Sequence, residues 1–183
     1  QGWQWDDNLP FFKKLEDRLG IQTKEPTVLT EKILGAAEMT GFMRKNELND
    51  GELCGYFGYN TLNNVNGRRS SYVAFLKESN SQNIRVETEA KLEKVNFKGK
   101  RAVSISYKQN SISHAAECNK EVIFCAGTLE TPKLLMLSGL GPADQLAKFG
   151  IPIVQDIPSI GRNLQDHTCV NILFKGKKNA DFF

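Results

Sequence analysis

EVIFCAGTLETPKLLMLSGLG, residues 121–141, joins two periodicities in one short span. Val122-Ile123-Phe124-Cys125 is a short apolar run that stops at Ala126-Gly127, the pattern of a buried strand running into a tight turn. Thr128 or Thr131 can cap a following helix, and Pro132, tolerated in a first turn, favours a start near Thr131. Leu134-Leu135-Met136-Leu137 continues the helix, and Ser138-Gly139-Leu140-Gly141-Pro142 ends it. Strand, tight turn and helix form the unit with which an open α/β sheet brings its backbone close to a nucleotide.

From Gly127 to Gly141 the chain meets every fixed position of G-x-x-x-[ST]-P-x-L-L-x-L-S-G-[aliphatic]-G. Gly150-Ile151-Pro152-Ile153 and Gly161-Arg162-Asn163-Leu164-Gln165-Asp166-His167 follow. This run resembles the second signature stretch of the glucose-methanol-choline oxidoreductases, flavin enzymes that oxidise alcohols. A match of this length is far more specific than a lone glycine triplet. Upstream, Trp3-x-Trp5 with Leu9-Pro10-x-Phe12-Lys13-Lys14-x-Glu16 resembles the same family, as does Asn66-Gly67-Arg68-Arg69-Ser70 with Ala74-Phe75-Leu76. The family usually has small residues after that Ser, where this chain has Ser71-Tyr72-Val73. Within the family the resemblance is nearest to the insect-type members.

The 183 residues carry 24 Lys+Arg against 21 Asp+Glu, a net charge of +3. So small and scattered an excess argues against a nucleic-acid partner. No run is apolar and long enough to span a membrane, which takes roughly 18 residues or more. The chain opens at Gln1-Gly2-Trp3 without a basic-plus-apolar leader and is expected to be an internal piece of a longer polypeptide. Cys54, Cys118, Cys125 and Cys169 have no metal-site spacing, so no metal is expected. Cys125 is expected to be a buried free thiol. The compartment stays open.

Around the central stretch, Leu9, Phe12, Leu15 and Leu19 fall at helical spacing. Asp6, Asp7 or Asn8 is the expected cap, Pro10 lies in the first turn, Gly20 is the stop, and the Trp residues anchor the helix. Thr27 or Thr30 starts a second helix that ends near Gly41. Tyr56, Phe57 and Tyr59 suit an edge strand, and residues 56–72 are a candidate lining for a substrate pocket. From Asn83 the period changes to two. Ile84, Val86 and Thr88 suggest one strand. Lys91 to Phe97, Val103 to Tyr107 and Ser113 to Cys118 suggest a meander with turns at Lys98-Gly99-Lys100 and Gln109-Asn110-Ser111. Pro142 to Phe149 is a short helix, Cys169 to Phe174 a strand candidate, and Lys175-Gly176-Lys177-Lys178 a solvated basic turn.

The expected fold is mixed α/β: part of an FAD-binding Rossmann-like domain with a three-stranded β-meander, plus part of a substrate-binding domain. Residues 1–82 form a substrate-side segment, 83–166 the partial FAD-binding domain, and 167–183 the start of the substrate-binding domain. The G-x-G-x-x-G turn that cradles a dinucleotide pyrophosphate is absent. What remains is the adenine side. The resemblance implies that Leu92, counted from Asn83-Ile84-Arg85-Val86, meets adenine through its backbone. Ala126 and Gly127 are small enough to let the backbone approach a ligand. Alcohol oxidation needs a base for the hydroxyl proton. Of the two histidines, His114 suits a surface strand and His167 a structural loop role, and the resemblance implies a base beyond residue 183. FAD, a small alcohol, sugar or sterol, and oxygen or a quinone-like acceptor are the implied ligands, with the fragment alone inactive. A hydroxynitrile-lyase-type member, or a binding protein that has lost the flavin site, is the alternative.

Overall fold

The computed structural model describes residues 2–52, 54–59, 61–63, 67, 70–77, 79, 82–173, 175 and 176. It is mixed α/β and divides into two compact units, Gln1–Gln82 with Ile172–Phe183, and Asn83–Asn171.

The first unit opens with α1, Trp5–Leu19. Its cap is Gln4, which makes no side-chain cap bond, so none of Asp6, Asp7 and Asn8 serves. Asn8 is instead inside the helix, where its side chain and its backbone both donate to the Gln4 carbonyl. Pro10 lies past the first turn, and Gly20 closes the helix in the left-handed region at φ 63°. No α1 residue is buried, and Trp3 and Trp5 are 90% and 55% exposed. The tryptophans therefore do not anchor the helix by burial: Trp5 stacks on Phe12 along it. The second helix, α2, spans Val28–Met39, with the Thr27 side chain accepting from the Thr30 amide at 3.1 Å. Short strands β1, Ile21–Thr23, and β4, Thr61–Asn63, pair antiparallel. Between them, β2, Met43–Arg44, and β3, Tyr56–Phe57, pair parallel. A π-helical turn at Tyr72–Lys77 buries Ala74. Arg18 lies over the Phe75 ring at 4.7 Å and donates to the Ala74 carbonyl.

The second unit holds the meander. Strands β5, Lys91–Lys98, β6, Arg101–Gln109, and β7, Ile112–Glu117, are antiparallel in that order. Gly99 turns the first hairpin, and Asn110 and Ser111, both at positive φ, turn the second, the geometry that matches strand twist in a two-residue loop. Helix α3, Gly127–Leu137, packs against β5, with Leu134 and Val95 buried. Strands β8, Leu140–Gly141, and β9, Gln155–Asp156, pair parallel around α4, Ala143–Lys148. Asp156 supplies the acceptor that α4 lacks at its start, taking the Ala143 amide at 2.9 Å.

Four further expectations fail. Val122–Cys125 is not a strand, and Ile123 is 74% exposed. Among the described residues no strand lies beside it, and a fully apolar strand is buried only when neighbours flank it. Cys125 is accordingly exposed rather than buried; all four cysteines are free thiols. Ile84–Thr88 also lacks strand pairing. It is held by side chains instead, with Gln109 donating to the Thr88 carbonyl at 2.8 Å. Cys169 to Leu173 is likewise unpaired and exposed. Phe174, Lys177 and Lys178 lie outside the described residues, as do Asn66, Arg68 and Arg69.

Candidate functional site

The three sequence-predicted residues all belong to the second unit. Leu92 is on β5, the edge strand of the meander, opposite Tyr107. The register shifts by one between Leu92 and Lys94, leaving Glu93 as an extra residue on β5. Such a bulge re-aims an edge strand and is common beside binding sites. An edge strand also turns half of its main-chain donors and acceptors away from the sheet, which is what a backbone contact to a purine edge requires.

Ala126 and Gly127 form the start of α3. The helix begins four residues before Thr131, so the argument from Pro132 fails. The carbonyl that Pro132 leaves without a helical donor belongs to Thr128, at the exposed start of α3, where water can serve it. Thr131 still acts as a cap, but from inside the helix: its hydroxyl accepts from the Ala126 amide at 3.2 Å. Gly127 holds φ 85°, and a Cβ placed on it would meet nothing within 4 Å. Glycine is thus required there by torsion, and the space beside it is open to a ligand.

A groove of about 380 Å³ starts directly after Gly127. Thr128, Leu129, Pro132 and Met136 line its helical wall, and Gly161 to Gln165 line the other. The Met136 methyl packs against Gly161, which is at φ 76°. Asn163 is also at positive φ, 56°, and its side-chain oxygen accepts from Gln165 at 3.1 Å. This segment gave no site residue in the sequence, because its contacts to α3 cross from one end of the motif to the other.

His114 stacks on Tyr107 at 5.2 Å on the exposed strand β7. His167 is exposed, and its backbone amide donates to Asp166. Glu87, near His114, is held below the usual carboxylate range by its hydrogen bond from Arg85 and then by Gln109. Among the described residues no group of three His, Cys, Asp or Glu side chains converges for a metal, and no helix is long and apolar enough to cross a membrane.

In the first unit, Tyr56 and Tyr59 make contacts within the unit. Tyr56 lies under the Lys45 ammonium at 4.4 Å. Tyr59 donates to Glu31 and accepts from Arg44, and the Glu31 bond raises the Tyr59 pKa. Asp50 is held below the usual carboxylate range by its hydrogen bond from Lys45. The larger groove of this unit, about 810 Å³, is lined by α1 residues such as Trp5 and Phe12 and by Glu47 to Gly51.

A family model described as GMC oxidoreductase matches residues 1–169. The chain belongs to the GMC oxidoreductase family. It is 31% identical over 202 residues to an oxygen-dependent choline dehydrogenase of Escherichia coli O17:K52:H18, covering 100% of this chain and 36% of that protein. The Burkholderia thailandensis oxygen-dependent choline dehydrogenase is 30% identical, with 100% and 35% covered. The chain thus spans about a third of the length of these curated GMC relatives. Among solved structures, pyridoxine 4-oxidase from Mesorbium loti superposes with a TM-score of 0.78 at 30% identity, over 90% of this chain and 36% of that one. An Aspergillus oryzae RIB40 formate oxidase, studied for modification of its FAD, gives 0.71 at 27% identity over 80% and 26%. These GMC flavoprotein neighbours point to FAD. The residues here fit its adenine half: an edge strand bulged beside Leu92, and a left-handed glycine with open space at the start of α3.

Proposed function

We propose that the protein carrying this chain is an FAD-dependent oxidoreductase that removes hydride from the CH–OH group of a small alcohol, sugar or sterol. The electrons then pass to oxygen or to a quinone-like acceptor. When bound, the flavin supplies the hydride acceptor. This chain supplies the adenine side: Leu92 offers its backbone from the bulged edge of β5, and Ala126 and Gly127 allow close approach at the start of α3. Residues 83–166 are the partial FAD-binding domain, and 1–82 with 167–183 belong to the substrate side. The insect-type assignment rests on the motif resemblance alone. The resemblance to the family implies a base outside these 183 residues, one that would take the hydroxyl proton as hydride leaves. The observation that carries the reading is the family match over residues 1–169.

The test is the visible absorption of the natural full-length protein, followed without oxygen as a panel of primary and secondary alcohols is added. Flavin bands are expected, and one alcohol class should bleach them. Bands that survive the whole panel would favour the lyase alternative. A preparation without flavin bands would sink the cofactor assignment and favour the binding-protein alternative.

A further inference from the structure

Ser138 is the buried polar side chain of the second unit, 6% exposed. Its hydroxyl donates to the Leu134 carbonyl at 2.6 Å and accepts from the Val95 amide at 2.9 Å. The first bond closes the last turn of α3. The second reaches across 43 residues of sequence to the edge strand β5. Val95 is itself 3% exposed, so its outward amide has no access to bulk water and depends on this one acceptor.

The place of that bond matters. Register shifts fall on both sides of Val95, between Leu92 and Lys94 and between Asn96 and Phe97. The first leaves Glu93 extra on β5 and the second leaves Val103 extra on β6, so the ladder is locally disrupted and bent on both sides of Val95. Ser138 ties down the residue between the two irregularities. It also does so from α3, the helix that begins at Ala126–Gly127.

We infer that Ser138 is a positioning residue for the adenine half of the flavin: its two hydrogen bonds lock β5 to α3, so that Leu92 and Ala126–Gly127 face the cofactor in one fixed frame. The inference rests on the flavin reading above. Ser138 touches neither Leu92 nor Gly127 and acts on them through the strand and the helix. Without the hydroxyl, the Val95 amide is left buried and unpaired, and β5 must move away from α3 to hydrate it.

The experiment uses the natural full-length protein stripped of flavin, with Kd measured for FAD and for ADP at a temperature where every variant is folded. Ser138→Ala is compared with Ser138→Thr, which keeps the hydroxyl, and with Leu146→Ala. Leu146 is 1% exposed in α4, so its truncation lowers stability without touching the β5–α3 link. Ser138→Ala should weaken both ligands by about tenfold, because both carry the adenine, and should speed hydrogen exchange at Val95. Ser138→Thr should recover most of the affinity, and Leu146→Ala should bind as the parent does. Equal affinities for Ser138→Ala and the parent would overturn the inference, as would an equal loss in Leu146→Ala. An unsubstituted protein that binds no FAD would overturn the flavin reading itself, before any variant is compared.

Discussion

Gly139→Ala is expected to destabilise the second unit by about 3 kcal/mol, through a torsional and a steric effect that act together. Gly139 ends α3 at φ 87°, where an L side chain is strained. A Cβ there would lie 2.5 Å from the Pro152 carbonyl oxygen and 2.9 Å from a Val154 methyl. The neighbours cannot simply withdraw. The Gly139 carbonyl accepts from Val154 at 2.8 Å and from Gln155 at 3.2 Å, and these bonds lead into the β8–β9 pair. A thermal melt of the natural protein should shift down, by roughly 12–24 °C for a transition confined to this unit and by less for one shared with more of the protein. Gly127→Ala separates the two effects, since Gly127 has a similar φ, 85°, but empty space around it. It should cost only about 1 kcal/mol. Equal losses for the two variants would show that the contact with Pro152 carries no weight.

Gly58→Ala is expected to open the β2–β3 pair of the first unit, at about 2–3 kcal/mol. The required Cβ would sit 2.2 Å from the Lys45 carbonyl oxygen. Backbone is the obstacle here, not the end of a flexible side chain. The Lys45 amide donates to Phe57 at 2.8 Å, so pushing the Lys45 peptide away breaks the bond that extends the two-residue ladder. The Lys45 ammonium also reaches Asp50 at 2.6 Å and covers Tyr56, so the 45–52 loop should loosen with it. Hydrogen exchange resolved by peptide would test this. Faster exchange is expected over residues 43–59 and none over 91–117. Unchanged exchange at Lys45 would refute the steric argument.

What the sequence made legible was local. Thr27 announced α2 because a threonine cap acts within three residues of itself, and it does. The meander was legible because its alternation and its turn residues are both short-range signals. Val122–Cys125 shows the opposite case. Its composition is that of a buried strand, but burial depends on flanking strands, and composition carries no information on whether those are present. Pro132 misled for a related reason. The rule that confines proline to a first turn assumes that the carbonyl left without a donor is costly, and the carbonyl of exposed Thr128 is not. At the candidate site, Gly127 and Ala126 were legible as small residues after an apolar run. The Ser138–Val95 bond was not, because nothing in either neighbourhood points to a partner 43 residues away.

That same separation sets an order of assembly. The two hairpins of the meander close through two-residue turns, which takes microseconds. Docking α3 on β5 must first close the much longer loop between Val95 and Ser138, at a greater entropic cost. The bulge beside Leu92 therefore exists before the helix that completes the frame arrives. Pulse-labelling during refolding should find β6 amides protected ahead of Val95, and simultaneous protection would contradict this sequence of events. A nascent chain leaving the ribosome meets the same constraint. It displays a finished β5–β6–β7 sheet whose β5 edge stays bare until Ser138 has been synthesised, and this interval is when that edge is open to a chaperone or to another nascent copy.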